Sequence, residues 1–403
     1  MKRLTSTFII FVGFVVVTIL SACGENPQPS AYQWPILKGF PKPQVPADNP
    51  MTIEKVTLGK QLFFDVNLSA NRQQSCASCH IQEYAFAENQ KQSVGSTGEQ
   101  HRRNSLALVN VAYNKTLTWA HDGLTSIEQQ ILLPMFGESP IELGITGNEK
   151  EIWQRFQTPE YQQLFKQAFP DNDFASKGFS AIKSNEENVI KNFDYIVKAL
   201  ASYVRSLISL NSPFDLYAYH GQDDAISESA LRGMDLFFSE KFECHHCHGG
   251  FNFTQSTSHE KQLIDRRPFH NTGLYNTKND KQKLGYPSVD TGLSEISTLP
   301  QDDGRFRAPT LRNIEVTAPY MHDGSIATLS DVLDFYAAGG RNVRHGIYAG
   351  DGRLNPLKSP FIKGFEMSEQ DKQDLLSFLK TLTDETFLSN AKHGIADMRK
   401  KSN

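Results

Sequence analysis

Apolar residues return at helical spacing over long stretches of this chain. Ile152, Phe156, Tyr161, Leu164, Phe165 and Phe169 make one such run, and Val189, Ile190, Phe193, Ile196, Val197, Leu200, Tyr203, Val204 and Leu207 make another. Spacings of three and four residues collect these side chains on one helix face. Ser227-Glu228-Ser229-Ala230 and Ser368-Glu369-Gln370-Asp371 each set a capping residue ahead of a further helix. Leu329–Phe335 reads as a helix too, with Tyr336 beside it. Sustained two-residue alternation is scarce, and Gln255–Asp303 reads as long loops. The predicted fold class is mainly α.

One pattern occurs twice. Leu58-Gly59-Lys60-Gln61-Leu62-Phe63-Phe64 precedes Cys76-Ala77-Ser78-Cys79-His80, and Leu231-Arg232-Gly233-Met234-Asp235-Leu236-Phe237-Phe238 precedes Cys244-His245-His246-Cys247-His248. Downstream, Leu106–Val111 leads to His121-Asp122-Gly123, and Pro309–Ile314 leads to His322-Asp323-Gly324. A C-x-x-C-H pentapeptide attaches haem through two thioethers, and its His becomes an axial iron ligand. A four-cysteine zinc site keeps its two pairs within about 20 residues, far closer than here. The chain is thus expected to be two tandem cytochrome-c-like haem domains with long loops, carrying two covalent haems c. His80 and His248 are the expected proximal ligands.

The remaining cysteine bears on location. Lys2 and Arg3 precede the apolar run Phe8–Leu20, and Leu20-Ser21-Ala22-Cys23 matches a bacterial lipoprotein cleavage box. That run is shorter than the roughly 20 residues a membrane-spanning helix needs. Cleavage before Cys23 would free its thiol for lipidation, leaving the mature protein periplasmic and anchored to a bacterial membrane, with the outer membrane favoured. Pro27, Pro29, Pro35, Pro41, Pro43 and Pro46 mark an extended tether. The expected organisation is a signal peptide over 1–22, a tether over 23–50, haem domains over 51–212 and 213–385, and a polar tail over 386–403. With 45 acidic against 41 basic residues and no basic patch, nucleic acid is not an expected partner.

Leu62-Phe63-Phe64-Asp65, Ser75–His80, Arg103-Asn104-Ser105 and Thr317-Ala318-Pro319-Tyr320-Met321-His322-Asp323-Gly324 resemble the bacterial di-haem cytochrome c peroxidase / MauG family from Leu58 to Thr383. Met135–Gly144 and Gly304–Asn313 resemble its MbnH branch most. The resemblance implies a peroxidatic first domain and an electron-transfer second domain. It implies Glu142 as a distal acid–base residue that relays a proton within bound peroxide, assisted by Gln130. It implies Trp119 between the haems, Tyr336 as sixth ligand of the second haem where the family's cytochrome c peroxidases carry Met, and a calcium ion held by Asn104, Thr317 and Pro319. Met321, His322 and His270 compete with Tyr336. His101 reads as a solvated loop residue and Met135 as core packing, so the first haem is expected to be five-coordinate.

The implied function is a peroxidase that uses hydrogen peroxide to reach a high-valent di-haem state and oxidises a partner protein, tryptophan to kynurenine being the MbnH-like possibility. One alternative is a cytochrome c peroxidase fed by a small redox protein. Another is a non-catalytic di-haem electron-transfer cytochrome, against which Glu142 and Gln130 speak.

Overall fold

The computed structural model describes residues 28–35, 40–170, 186–262, 267–278 and 284–394. The expected export signal with Cys23, part of the expected tether and the end of the expected polar tail lie outside them. The described parts of tether and tail are docked instead of extended, with Phe40 8% and Phe387 2% exposed and the Pro41 carbonyl accepting from the Tyr113 hydroxyl at 2.9 Å. Thirteen α-helices stand against four two-residue strands among the described residues, so the mainly α expectation holds. No described helix is long and apolar enough to cross a membrane.

The helices are α1 (Ile53–Phe64), α2 (Cys76–Cys79), α3 (Ile127–Phe136), α4 (Glu149–Arg155), α5 (Pro159–Ala168) and α6 (Glu186–Arg205), followed by α7 (Pro213–His220) and α8 (Glu228–Phe237). Then come α9 (His245–His248), α10 (Ser294–Ser297), α11 (Leu329–Ala337), α12 (Glu369–Lys380) and α13 (Glu385–Ser389). β1 (Thr277–Lys278) pairs antiparallel with β2 (Leu284–Gly285), and β3 (Asn342–Val343) with β4 (Gly350–Asp351).

The repeat is visible atom by atom. In the first half α1 packs on α6, and in the second α8 packs on α12. A Cβ on Gly59 would lie 1.9 Å from the Ala199 carbonyl oxygen and 2.9 Å from Tyr203 Cβ. A Cβ on Gly233 would lie 1.9 Å from the Asp374 carbonyl oxygen and 2.9 Å from Phe378 Cβ. Only glycine lets both helix pairs approach this closely. Each pair then closes a core: Leu58, Leu62, Phe63, Phe86 and Tyr203 in one half, Phe214, Phe237, Phe253, Leu375 and Phe378 in the other. A third cluster around Tyr275, Tyr286, Phe306, Tyr320 and Phe335 takes up Trp119 and Tyr336 at its margin.

The halves meet at paired asparagines. Asn110 and Asn313 both adopt the left-handed conformation, with φ of 54° and 60°, and each opens a 3-10 turn. The Asn110 amide bonds with the Ser209 backbone, donating at 2.9 Å and accepting at 2.8 Å, while Asn313 Nδ2 donates to Ser209 Oγ at 3.0 Å. This seam is buried and fully hydrogen-bonded, as buried amides require.

The predicted capping residues are in place: Ser227 Oγ accepts from the Ala230 amide and Ser368 Oγ from the Asp371 amide, at 3.2 Å and 3.1 Å. The Ile152–Phe169 run differs from its single-helix appearance. It divides into α4 and α5 because Thr158 caps a new helix and Pro159 occupies its first turn, where a missing amide proton costs nothing.

Candidate haem sites and the space between them

Both pentapeptides fold as one turn of helix, α2 and α9, on loops that return a carbonyl to the histidine. His80 Nδ1 lies 2.7 Å from the Phe86 carbonyl oxygen, and His248 Nδ1 lies 3.2 Å from that of Phe253. A carbonyl can only accept, so Nδ1 carries the proton and Nε2 keeps its lone pair for a metal. Burial pushes both imidazoles down, His248 to about 4, which keeps them neutral as ligands must be. Cys76, Cys79, Cys244 and Cys247 are all free thiols. Each half therefore offers the complete attachment set for one haem c.

The second half adds a cavity of about 1390 Å³, solvent mouth included, lined by Cys244, Cys247, His248 and Tyr336 among mainly apolar walls. Tyr336 projects from α11, and its phenol lies within electrostatic reach of both cysteines; burial raises its pKa. Met321, His322 and His270 line the same cavity. Their surroundings separate them. His322 is 6% exposed and stacks on Phe306 at 3.7 Å, and burial holds its pKa near 4. His270 Nε2 is engaged with Gln255 Oε1 at 3.2 Å. Met321 sits in the left-handed region, at φ 73°.

The first half sets a carboxyl near its attachment cysteines. Glu142 lies in a loop pinned on both sides: its carbonyl accepts from the Ser96 amide at 2.8 Å, and the next amide, of Leu143, donates to the Pro134 carbonyl at 3.0 Å. Gly95 permits this approach, since a Cβ there would lie 1.8 Å from the Ile141 carbonyl oxygen. Partial burial, with the side chain still 39% exposed, raises the Glu142 carboxyl to about 7. The carboxylate is close enough to raise the pKa of both Cys76 and Cys79 by its charge. Gln130 stands on α3, half-buried, with Oε1 buried and unpartnered. The salt bridge of Glu128 to Arg205 Nη2, 2.8 Å from both carboxylate oxygens, fixes that helix. Met135 is 1% exposed and belongs to the first core.

His101 departs from the reading of it as a solvated residue. Its side chain is 17% exposed, with Nδ1 4.0 Å from Glu142 Oε1, and it lies within electrostatic range of His80. The loop Val94–Gln100 folds back on itself through a β-bridge and carries His101 inward, which loop length alone does not reveal.

Between the halves lies a second cavity lined by Asn104, Thr317, Pro319, Trp119 and Arg307. The three residues expected around calcium are thus brought together. Asn104 Nδ2 donates to the Gln90 carbonyl at 2.9 Å, which turns its oxygen the other way. Trp119 borders both cavities, and its Nε1 donates to the Asn104 carbonyl at 2.7 Å. Arg307 was not singled out from sequence. It is 4% exposed, burial lowers its pKa to about 10, and Nη1 is without a partner while Nε donates to the Thr118 carbonyl at 2.9 Å. It occupies the place in the second repeat that Asn104 has in the first, counted back from Asn313 and Asn110, and that register was the available signal.

Comparison with known proteins gives a consistent result. Residues 53–224 match the family model described as di-haem cytochrome c peroxidase. Cytochrome-c peroxidase IdrP1 of Pseudomonas sp. (strain SCT) is 33% identical, covering 87% of this chain and 86% of its own. Methylamine utilization protein MauG of Methylorubrum extorquens is 32% identical, covering 84% and 80%. A crystal structure of a MauG-like protein associated with microbial copper homeostasis superposes with a TM-score of 0.81 at 41% identity, over 90% of this chain and 99% of that one. With two complete haem c attachment sets on a duplicated helical frame, this chain belongs to the di-haem cytochrome c peroxidase / MauG family and is an oxidoreductase, a di-haem peroxidase.

Proposed function

We propose that the protein is a periplasmic, lipid-anchored peroxidase that draws the two electrons for reducing hydrogen peroxide from a tryptophan on a partner protein. The observation that carries this reading is Tyr336 on the wall of the His248 cavity. A phenolate is a hard anionic donor that favours oxidised iron, whereas a thioether raises the potential.

When bound, the two haems supply the iron redox chemistry by which peroxide, two protons and two electrons become two waters. The chain's own residues do the rest. Glu142 takes a proton from one peroxide oxygen and returns it to the other, a transfer suited to a carboxyl poised at about 7. Gln130 would assist as a hydrogen-bond donor, and His101 flanks the carboxylate, with Nδ1 4.0 Å from Oε1. Trp119 sets an indole between the cavities, oriented by its bond to Asn104. Asn104, Thr317 and Pro319 would hold calcium with oxygen donors alone, which suits that ion, and would so brace the backbone that carries Trp119. Cys23 is the lipid attachment point.

The competing assignment is peroxide reduction with electrons from a small redox protein, favoured by relatives named cytochrome-c peroxidase. One experiment separates the two. Holoprotein is given peroxide with a candidate partner protein or with a reduced small cytochrome. Mass spectrometry of the partner should show a tryptophan oxidised by one oxygen atom after one peroxide. A second peroxide should give a four-electron product, which becomes kynurenine once water releases its formyl carbon as formate. Rapid catalytic oxidation of the cytochrome with an unmodified partner would reverse the assignment.

A further inference from the structure

The two attachment pentapeptides differ at both interior positions: Ala77-Ser78 in the first, His245-His246 in the second. Neither histidine lines the second-haem cavity. The imidazoles lie side by side with ring centroids 4.2 Å apart, and His246 stacks on Phe361 at 4.7 Å. Both face one carboxylate. His245 Nε2 is 3.6 Å from Glu240 Oε1, and His246 Nε2 is 3.4 Å from Glu240 Oε2.

These separations are long for a strong charge-assisted hydrogen bond and right for sharing an ion. Two donors each about 2.1 Å from a tetrahedral zinc stand about 3.4 Å apart. One donor atom from each of Glu240, His245 and His246 falls within 4.8 Å of the others, so small side-chain rotations complete the set. Glu240 is 79% exposed and the histidines 24% and 29%, which leaves solvent access for entry and for a water as fourth ligand. His245 Nδ1 is buried without a partner, so no hydrogen bond at that nitrogen competes to orient the ring.

We propose that Glu240, His245 and His246 form a binding site for one late first-row divalent cation at the outer face of the second haem-attachment helix. Two imidazoles and a carboxylate select zinc or copper(II) over calcium and magnesium, which prefer all-oxygen shells. Copper(II) is bound more tightly than zinc by such donors. The site does not depend on which electron donor the peroxidase uses.

The test uses untagged holoprotein, both haems attached, in excess calcium so that oxygen-donor sites are filled. Zinc and copper(II) are titrated in competition with a chromophoric chelator. One equivalent of each should bind, copper(II) more tightly, and Glu240→Gln and His246→Asn should each weaken binding by roughly tenfold or more. Haem absorbance verifies that the variants are assembled. Should His246→Asn lose haem, Glu240→Gln decides alone, since that side chain is exposed. Absence of saturable binding, or unchanged affinity in Glu240→Gln, overturns the proposal.

Discussion

The two halves of this protein share one proximal architecture and have separate distal ones. Gly59 on Ala199 and Gly233 on Asp374 repeat the same helix contact, and both axial histidines are aimed by a carbonyl five or six residues on. Around those histidines the resemblance ends. The first half sets Glu142, the proposed proton relay, beside His101, with Nδ1 4.0 Å from the carboxylate. The second offers Tyr336 in an apolar cavity. The second proximal loop also has a brace of its own: Arg312, fully buried, clamps Asp215 at 2.8 Å and 2.9 Å and donates to the Phe251 carbonyl beside the loop. The corresponding residue before Asn110 is Val109, which cannot do this. Duplication kept what holds a haem and freed what each haem does.

The strongest way to break this comparison is to remove one attachment set. Cys76→Ala combined with Cys79→Ala should leave one covalent haem per chain and abolish peroxide-dependent oxidation. Removing Cys244 and Cys247 should also leave one haem but preserve an initial reaction with peroxide. Denatured haem absorbance counts the cofactor, and stopped-flow spectroscopy reads the reaction. Equal loss of the initial reaction in both would show that the halves are not specialised.

Glu142→Gln tests the first half. It should keep both haems and slow the reaction with peroxide on the order of 100-fold. The pH dependence carries a sign. Only ionised Glu142 can accept the first proton, so the rate should rise with pH and level off above about 7, where burial has placed the carboxyl. The variant should lose this rise. A rise that persists assigns the titration elsewhere, with His101 the first neighbour to examine.

Tyr336→Met tests the second half. The second haem should move to higher potential, and partner tryptophan oxidation should fail while peroxide is still consumed with a small donor. Spectra of the ferric protein that are identical before and after substitution would place Tyr336 among packing residues and turn attention to Met321, His322 and His270.

The attachment residues, the repeat and the helical class were legible in the sequence because each rests on local spacing. Covalent motifs and three-four periodicity need no tertiary information. His101, Arg307 and the break between α4 and α5 were harder. His101 turns inward because its loop closes on itself through a β-bridge, and Arg307 is buried because two halves meet over it; both are consequences of long-range packing. The break at Thr158-Pro159 is a local signal that the apolar periodicity across it obscured.

The smallest effect concerns the shared frame. Gly59→Ala and Gly233→Ala each place a methyl 1.9 Å from a backbone carbonyl oxygen, a contact that backbone cannot relieve by a side-chain rotation. The helices must separate, and overpacking of this kind costs about 1–3 kcal/mol. Because the contacts are the same in both halves, so should the two losses be, read as midpoints of denaturant unfolding. The catalytic consequences should diverge. Parting α1 from α6 disturbs Phe63 and Tyr203 in the core against which Cys76 packs, so Gly59→Ala should slow the reaction with peroxide. Parting α8 from α12 disturbs Phe237 and Phe378 near Cys244, so Gly233→Ala should instead alter the second haem's potential. If Gly59→Ala changes only that potential, the division of labour between the halves is not the one their distal residues describe.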